Sequence, residues 1–184
     1  MNQTDPTLSR SIIEFAAIAT EYCNLVENAD RHSKQDYIRS MRSLIPLLYL
    51  RGSILTANEP DYPEANERYV TEEQWDGIFT QLRELLGSDD LFQYVAADEY
   101  GEKTTLKGSL SEHFADVYQD MKDFTLLFKK TSFDARENAI YEVFKNYGTH
   151  WGARLATIIP ILHELTLIPQ ANTDNEWLEA TDIF

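Results

Sequence analysis

Residues 109–128, "SLSEHFADVYQDMKDFTLLF", carry two patterns at once. Leu110, Phe114, Val117, Met121, Phe124 and Phe128 recur three and four residues apart, the spacing that lays one apolar stripe along a helix. Ser109 with Glu112 has the capping-box spacing that starts such a helix, and Lys129 and Lys130 follow where the exposed carbonyls at its end favour cations. Beside the apolar stripe lies a polar one, His113, Asp116 and Asp120, also three and four residues apart. A helix that buries one face with carboxylates on its flank needs neighbours that supply donors, because a buried charge without a partner costs several kcal/mol. The stretch therefore predicts an all-α, single-domain bundle of about five main helices.

The neighbours are found by working outward. Towards the C-terminal side, Ile140, Phe144, Tyr147, Trp151, Leu155, Ile158, Leu162 and Leu165 keep a three-four rhythm. This rhythm predicts one helix from about 133 to 166, bent near Pro160. With about 100° of turn per residue and Trp151 at the centre of the buried stripe, His150 and Arg154 share one flank while Gly148 and Gly152 share the other. The two glycines are expected to face a closely packed neighbour. His163 falls on the flank opposite His150, so these two histidines do not share a metal.

Towards the N-terminal side, Ile12, Phe15, Ala16, Ala19, Tyr22, Cys23 and Val26 form a helical stripe, with Asp5-Pro6 or Ser11 and Glu14 as possible starts. A second helix opens at Ser33, buries Tyr37, Met41, Leu44, Leu48 and Leu55, and contains Pro46, which should kink it. A third has Thr71 as cap, Gln74 at the capping-box position, the stripe Trp75, Ile78, Phe79, Leu82, Leu85 and Leu86, and Gly87 as its stop. Tyr22, Tyr49, Trp75 and Tyr147 read as core aromatics. Residues 58–70, with two prolines, and 88–108, punctuated by Gly101 and Gly108, are expected to be connecting loops, the second packed on the bundle. Residues 172–184 form an acidic tail, either a docked short helix or a loose interaction motif.

Composition bounds the function. The 184 residues carry 16 Lys and Arg against 31 Asp and Glu, a net charge of −15 that repels nucleic acid and anionic membrane surfaces alike. No apolar run reaches the ~18 residues of a spanning helix, and "MNQTDPTLSR" resembles no signal peptide, so a cytoplasmic location is expected. Cys23 is the single cysteine; it forms no internal disulfide and reads as a small core residue. Nucleophile elbow, phosphate loop, dinucleotide fingerprint and Cys-x-x-Cys are all missing from the sequence.

Across the bundle, the polar stripe of residues 113–120 and the flank carrying His150 and Arg154 make a candidate cluster of Asp116, Asp120, His150 and Arg154. Two readings stay open. In the first, Asp116 or Asp120 holds His150 or Arg154 in a hydrogen-bonded pair between helices; the protein is then an interaction or accessory module without chemistry or cofactor, and its partner is a protein. In the second, Asp116, Asp120 and His150 serve a metal-binding or hydrolase-like bundle.

The stretches "SLSEHFADVYQDMKDFTLLF" and "YGTHWGARLATIIPILHEL" together resemble an uncharacterised family of all-helical bacterial proteins, best represented in the Bacteroidetes and known only as a domain of unknown function. The family pattern has Asp-Ile-Tyr-x-Asp-Leu and then His-Trp-Gly. Asp116, Val117, Tyr118, Asp120 and Met121 occupy the first, with Val for Ile and Met for Leu; His150, Trp151 and Gly152 occupy the second. The segments "FAAIATEYCNLVE" and "LIPLLYLRGSIL" are similar as well. The resemblance implies a helical fold and bacterial origin and implies no activity.

Overall fold

The computed structural model describes residues 5–97 and 100–167. Six α-helices and one two-stranded sheet follow in the order α1 (Arg10–Glu27), α2 (Lys34–Ser53), α3 (Glu72–Leu86), β1 (Leu91–Ala97), β2 (Lys103–Ser109), α4 (Leu110–Phe128), α5 (Phe133–Thr149) and α6 (Trp151–Leu167). The class is all-α. The acidic tail at 172–184 lies outside the described residues.

Local chemistry places most helix starts. Ser33, Thr71, Ser109 and Ser132 each accept the amide hydrogen of the residue three places on, and at Thr71 the Gln74 side chain closes a full capping box. The first helix departs from expectation. Asp5 caps a short 3-10 turn at Pro6–Leu8, and α1 starts after it at Arg10 without a side-chain cap.

Helix α4 is the hub. It packs against α1, α3, α5 and α6, and Leu110, Phe114, Val117, Met121, Phe124 and Leu127 are buried along it. Phe15 of α1 meets the Phe124 ring edge-on at 5.1 Å, and Tyr22 donates its hydroxyl hydrogen to the Phe114 carbonyl at 2.9 Å. Helix α6 lies against α2, with Trp151 at one end and Thr166, hydrogen-bonded to Arg42, at the other; the two helices run antiparallel.

Three expectations need correction. Residues 88–108 are not a loop: Leu91–Ala97 and Lys103–Ser109 pair antiparallel, with Phe92 opposite Gly108 and Tyr94 opposite Leu106. The two-residue alternation is hidden in the sequence because the outward positions include Leu91 and Val95, 72% and 63% exposed, while Phe92 and Tyr94 point inward. Gly108 lets the Phe92 ring lie directly over the strand, since a β-carbon there would come within 2.5 Å of Phe92 Cζ and the ring would have to shift.

The single helix expected over 133–166 is two helices. His150, with φ −136° and ψ −89°, ends α5, and its carbonyl accepts the Arg154 amide as the first bond of α6. Gly148 and Thr149 are weak helix formers. The break also serves Trp151, which is fully buried, donates its indole hydrogen to the Val143 carbonyl at 2.8 Å and meets the Tyr147 ring at 4.9 Å. One interrupted residue leaves the 147–151–155 spacing intact, so periodicity does not register the break.

The two glycines do not act alike. Gly148 has no atom within 4 Å of a would-be β-carbon, whereas at Gly152 one would come within 2.3 Å of the Tyr147 carbonyl, in the tight turn itself. The close helix approach is at Gly52 of α2, where a β-carbon would lie 2.1 Å from Trp151 Cη2. Gly52→Ala is therefore expected to lower stability by about 1 to 3 kcal/mol through overpacking. Gly148→Ala, on an open helical position, should be neutral or raise stability by up to ~1 kcal/mol. Urea unfolding of the two variants checks this, and equal midpoints would disprove the close contact at Gly52.

Candidate functional site

The polar flank of α4 continues one turn further than the sequence pattern suggests. Asp116, Asp120 and Asp123 stand one above another, and each binds a different neighbouring element. Asp116 accepts the Trp75 indole hydrogen of α3 at 3.1 Å through Oδ1 and the Arg154 Nε hydrogen of α6 at 2.5 Å through Oδ2. Asp120 accepts from Asn146 Nδ2 of α5 at 2.9 Å through Oδ1 and faces His150 Nδ1 at 2.5 Å through Oδ2. Asp123 accepts the backbone amides of Tyr69 and Val70 at 2.7 and 2.9 Å through Oδ1.

All four residues of the sequence-based cluster thus come together, as two pairs: Asp120 with His150 and Asp116 with Arg154. The Asp120 and Asp116 side chains are 11% and 15% exposed, so their charges are largely removed from water and the donors replace the lost hydration. A carboxylate oxygen accepts, so in this pair the His150 Nδ1 donates its hydrogen to Asp120 Oδ2. Burial of Asp123 raises its carboxyl pKa, and the Tyr69 and Val70 amides act in the opposite direction. His113, beside the stripe, is engaged by the hairpin: its Nδ1 lies 3.0 Å from the Ser109 carbonyl, Phe92 and Tyr94 pack edge-on against it, and burial pushes its pKa down.

Sequence reasoning missed Asp123, Asn146 and the Trp75 indole as members of this network. Asp123 continues the three-four spacing from Asp116 and Asp120, and that was the available signal. Asn146 and Trp75 lie on other helices and leave no mark that spacing can detect.

A cleft of about 390 Å³ opens between α4, α5 and the connection preceding α3. Its floor is Phe124, Leu127 and Val143, and its polar wall is Asp120, Asp123, Glu142, Asn146 and His150, with Arg68 at the rim. For the metal-binding alternative, both oxygens of Asp116 and of Asp120 already accept hydrogens from side chains of this chain, one of them a guanidinium. Among the described residues no group of three or more His, Cys, Asp or Glu side chains is arranged to hold a metal ion.

The architecture defines an all-helical protein whose central helix joins its neighbours through a row of aspartates, with a small hairpin at one end. The chain belongs to the family described as Domain of unknown function (DUF5063), whose model matches residues 6–167. It is similar to the crystal structure of protein BF1032 from Bacteroides fragilis, at 30% identity and a TM-score of 0.76 over 89% of this chain and 96% of that one. No curated protein matches it.

The Asp120–His150 pair is open to a direct test. His150→Ala should lower stability by about 1 to 3 kcal/mol, because it leaves a largely buried carboxylate oxygen without a donor. In an Asp120→Asn background the same replacement should cost less, with a coupling of about 0.5 to 3 kcal/mol in a double-mutant cycle. Equal losses in both backgrounds would show that the two side chains do not support each other.

Proposed function

We propose that this protein is a helical recognition module acting in the cytoplasm, without chemistry of its own, whose cleft beside the Asp120–His150 pair takes a basic side chain of a protein partner. The observation that carries this reading is the arrangement of the cleft. Its lining brings the carboxylates of Glu67, Asp120, Asp123 and Glu142, with the Arg68 guanidinium among them, beside the apolar Phe124, Leu127 and Val143. Lysine and arginine have that amphipathic profile, an aliphatic stem that packs on apolar surface and a cationic head that seeks acceptors.

Asp123 is the group with capacity left. Its Oδ1 is committed to two amides, while its Oδ2 accepts no hydrogen bond among the described residues. Burial raises its pKa more than the Tyr69 and Val70 amides and the nearby charge of Arg68 lower it, so a further cation at the cleft would favour its charged form. The net charge of −15 steers cationic partners in and repels nucleic acids. Burial pushes the pKa of the free thiol Cys23 up to about 12, so it takes no part in the proposed recognition, and none of the described helices is long and apolar enough to cross a membrane.

Titration with N-acetyl-arginine-amide, followed by NMR, is expected to move the side-chain amide signals of Asn146 and the ring signals of His150. The uncharged isostere N-acetyl-citrulline-amide should bind at least about tenfold more weakly, the value of one charge-assisted contact. Asp123→Asn and Glu142→Gln should weaken arginine binding, and lowering the pH through the raised Asp123 pKa should weaken it too, since the protonated acid no longer attracts the guanidinium. A 20-nucleotide DNA probe should show no binding at physiological salt. Equal affinity for arginine and citrulline, or shifts confined to another surface, would refute the proposal.

A further inference from the structure

The connection leading into α3 brings a positive charge into the acidic cleft. Arg68 lines the same cavity as Asp120, Asp123 and Glu142. The residues on both sides of it are anchored. Glu67 accepts hydrogen bonds from Lys130 and from the Tyr69 hydroxyl, and the amides of Tyr69 and Val70 go to Asp123 Oδ1. Lys130 also lies over the Tyr69 ring, 5.7 Å from its centroid. The backbone at Arg68 is thereby held in place, while its exposed side chain forms no ion pair or hydrogen bond among the described residues.

Neither nearby acid engages it. Glu67 already carries Lys130 on both oxygens. Asp123 is near enough for the charge of Arg68 to lower its pKa, yet the two form no ion pair.

An unpaired arginine on an open surface needs no explanation, because water satisfies it. Inside this cleft its charge has a consequence. A cation that enters towards Asp123 and Glu142 approaches Arg68 as well, and the like charges repel. A carboxylate carried beside the incoming cation removes that conflict. The guanidinium of Arg68 offers a planar fork of donors that matches the two oxygens of a carboxylate. Within one extended arginine residue the guanidinium carbon and the carboxyl carbon stand only about 7 Å apart. A cleft of about 390 Å³ has room for both ends.

We propose that the cleft recognises a paired motif, a basic side chain with a carboxylate immediately beside it, and that Arg68 is the residue that reads the carboxylate. This rests on the reading of the cleft as a site for a cation at Asp123. The carboxylate is that of a C-terminal basic residue or of an acidic side chain next in sequence, and either presents the same anion to Arg68.

The experiment titrates two pairs of ligands into the full chain. N-acetyl-arginine and N-acetyl-arginine-amide differ only at the α-carboxylate; N-acetyl-Arg-Glu-amide and N-acetyl-Arg-Gln-amide differ only at the adjacent side chain. In a chain of net charge −15 the overall field favours the more positive member of each pair. Arg68 is expected to invert that order in at least one pair, by about threefold, the size of a partly exposed ion pair. The pair that inverts identifies the source of the carboxylate. Arg68→Gln alters an exposed side chain without partners, and its melting temperature should match that of the wild type. This variant should lose the inversion and bind N-acetyl-arginine-amide at least as tightly as the wild type does. If the wild type binds neither amide nor acid, the cation site falls and this inference falls with it. If the amide binds but neither carboxylate ligand binds more tightly than its neutral counterpart, or if the inversion survives in Arg68→Gln, the role of Arg68 is overturned while the cation site stands.

Discussion

A carboxylate moved out of water must be given hydrogen-bond donors, and in this protein α4 brings three of them. Asp116, Asp120 and Asp123 face the interior margins of the bundle, and each collects donors from a different element: the Trp75 indole and Arg154, Asn146 and His150, and the amides of Tyr69 and Val70. Apolar burial is non-directional and would tolerate α3, α5 and α6 at many rotations around α4. The aspartates are directional. They set where α3 begins, how the connection before it lies, and how the turn between α5 and α6 presents its side chains.

The break at His150 follows from two demands on neighbouring residues. Trp151 must enter the core deeply enough to reach Gly52 and donate to the Val143 carbonyl. His150 must stay at the margin to meet Asp120. Leaving the helix at His150 lets both be met, with the His150 carbonyl recovered as the first acceptor of α6. Gly152 belongs to this solution, since any β-carbon there would strike the Tyr147 carbonyl. The histidine that resembles a catalytic group in the sequence is thus a corner of the backbone as well as a partner of a carboxylate.

What the sequence makes legible is what short-range chemistry writes into it. The caps at Ser33, Thr71 and Ser109 and the stripe of α4 are signals of three or four residues, and these stand where expected. The juxtaposition of Asp116 and Asp120 with Arg154 and His150 follows from the two flanks being polar in an otherwise apolar interface. The hairpin was hidden because its exposed face carries Leu91 and Val95, which erase the polar–apolar alternation that identifies a half-buried strand. The helix break was hidden because it preserves periodicity. Gly52 was hidden because close approach depends on Trp151, a residue about a hundred positions away, and no local pattern records that.

The same bookkeeping of donors and acceptors separates scaffold from site. At Asp116 and Asp120 all four oxygens are matched to donors within the chain, so these residues have little left to offer a ligand without first releasing a neighbouring helix. At Asp123 one oxygen is matched twice and the other accepts no hydrogen bond among the described residues, and burial raises the carboxyl pKa against the lowering by the two amides and Arg68. A group kept partly desolvated and only half satisfied gains more from an incoming cation than a group already paired. The aspartates that the sequence makes conspicuous therefore hold the fold together, and the carboxylate with an unmatched oxygen among the described residues lies one turn further along the same helix.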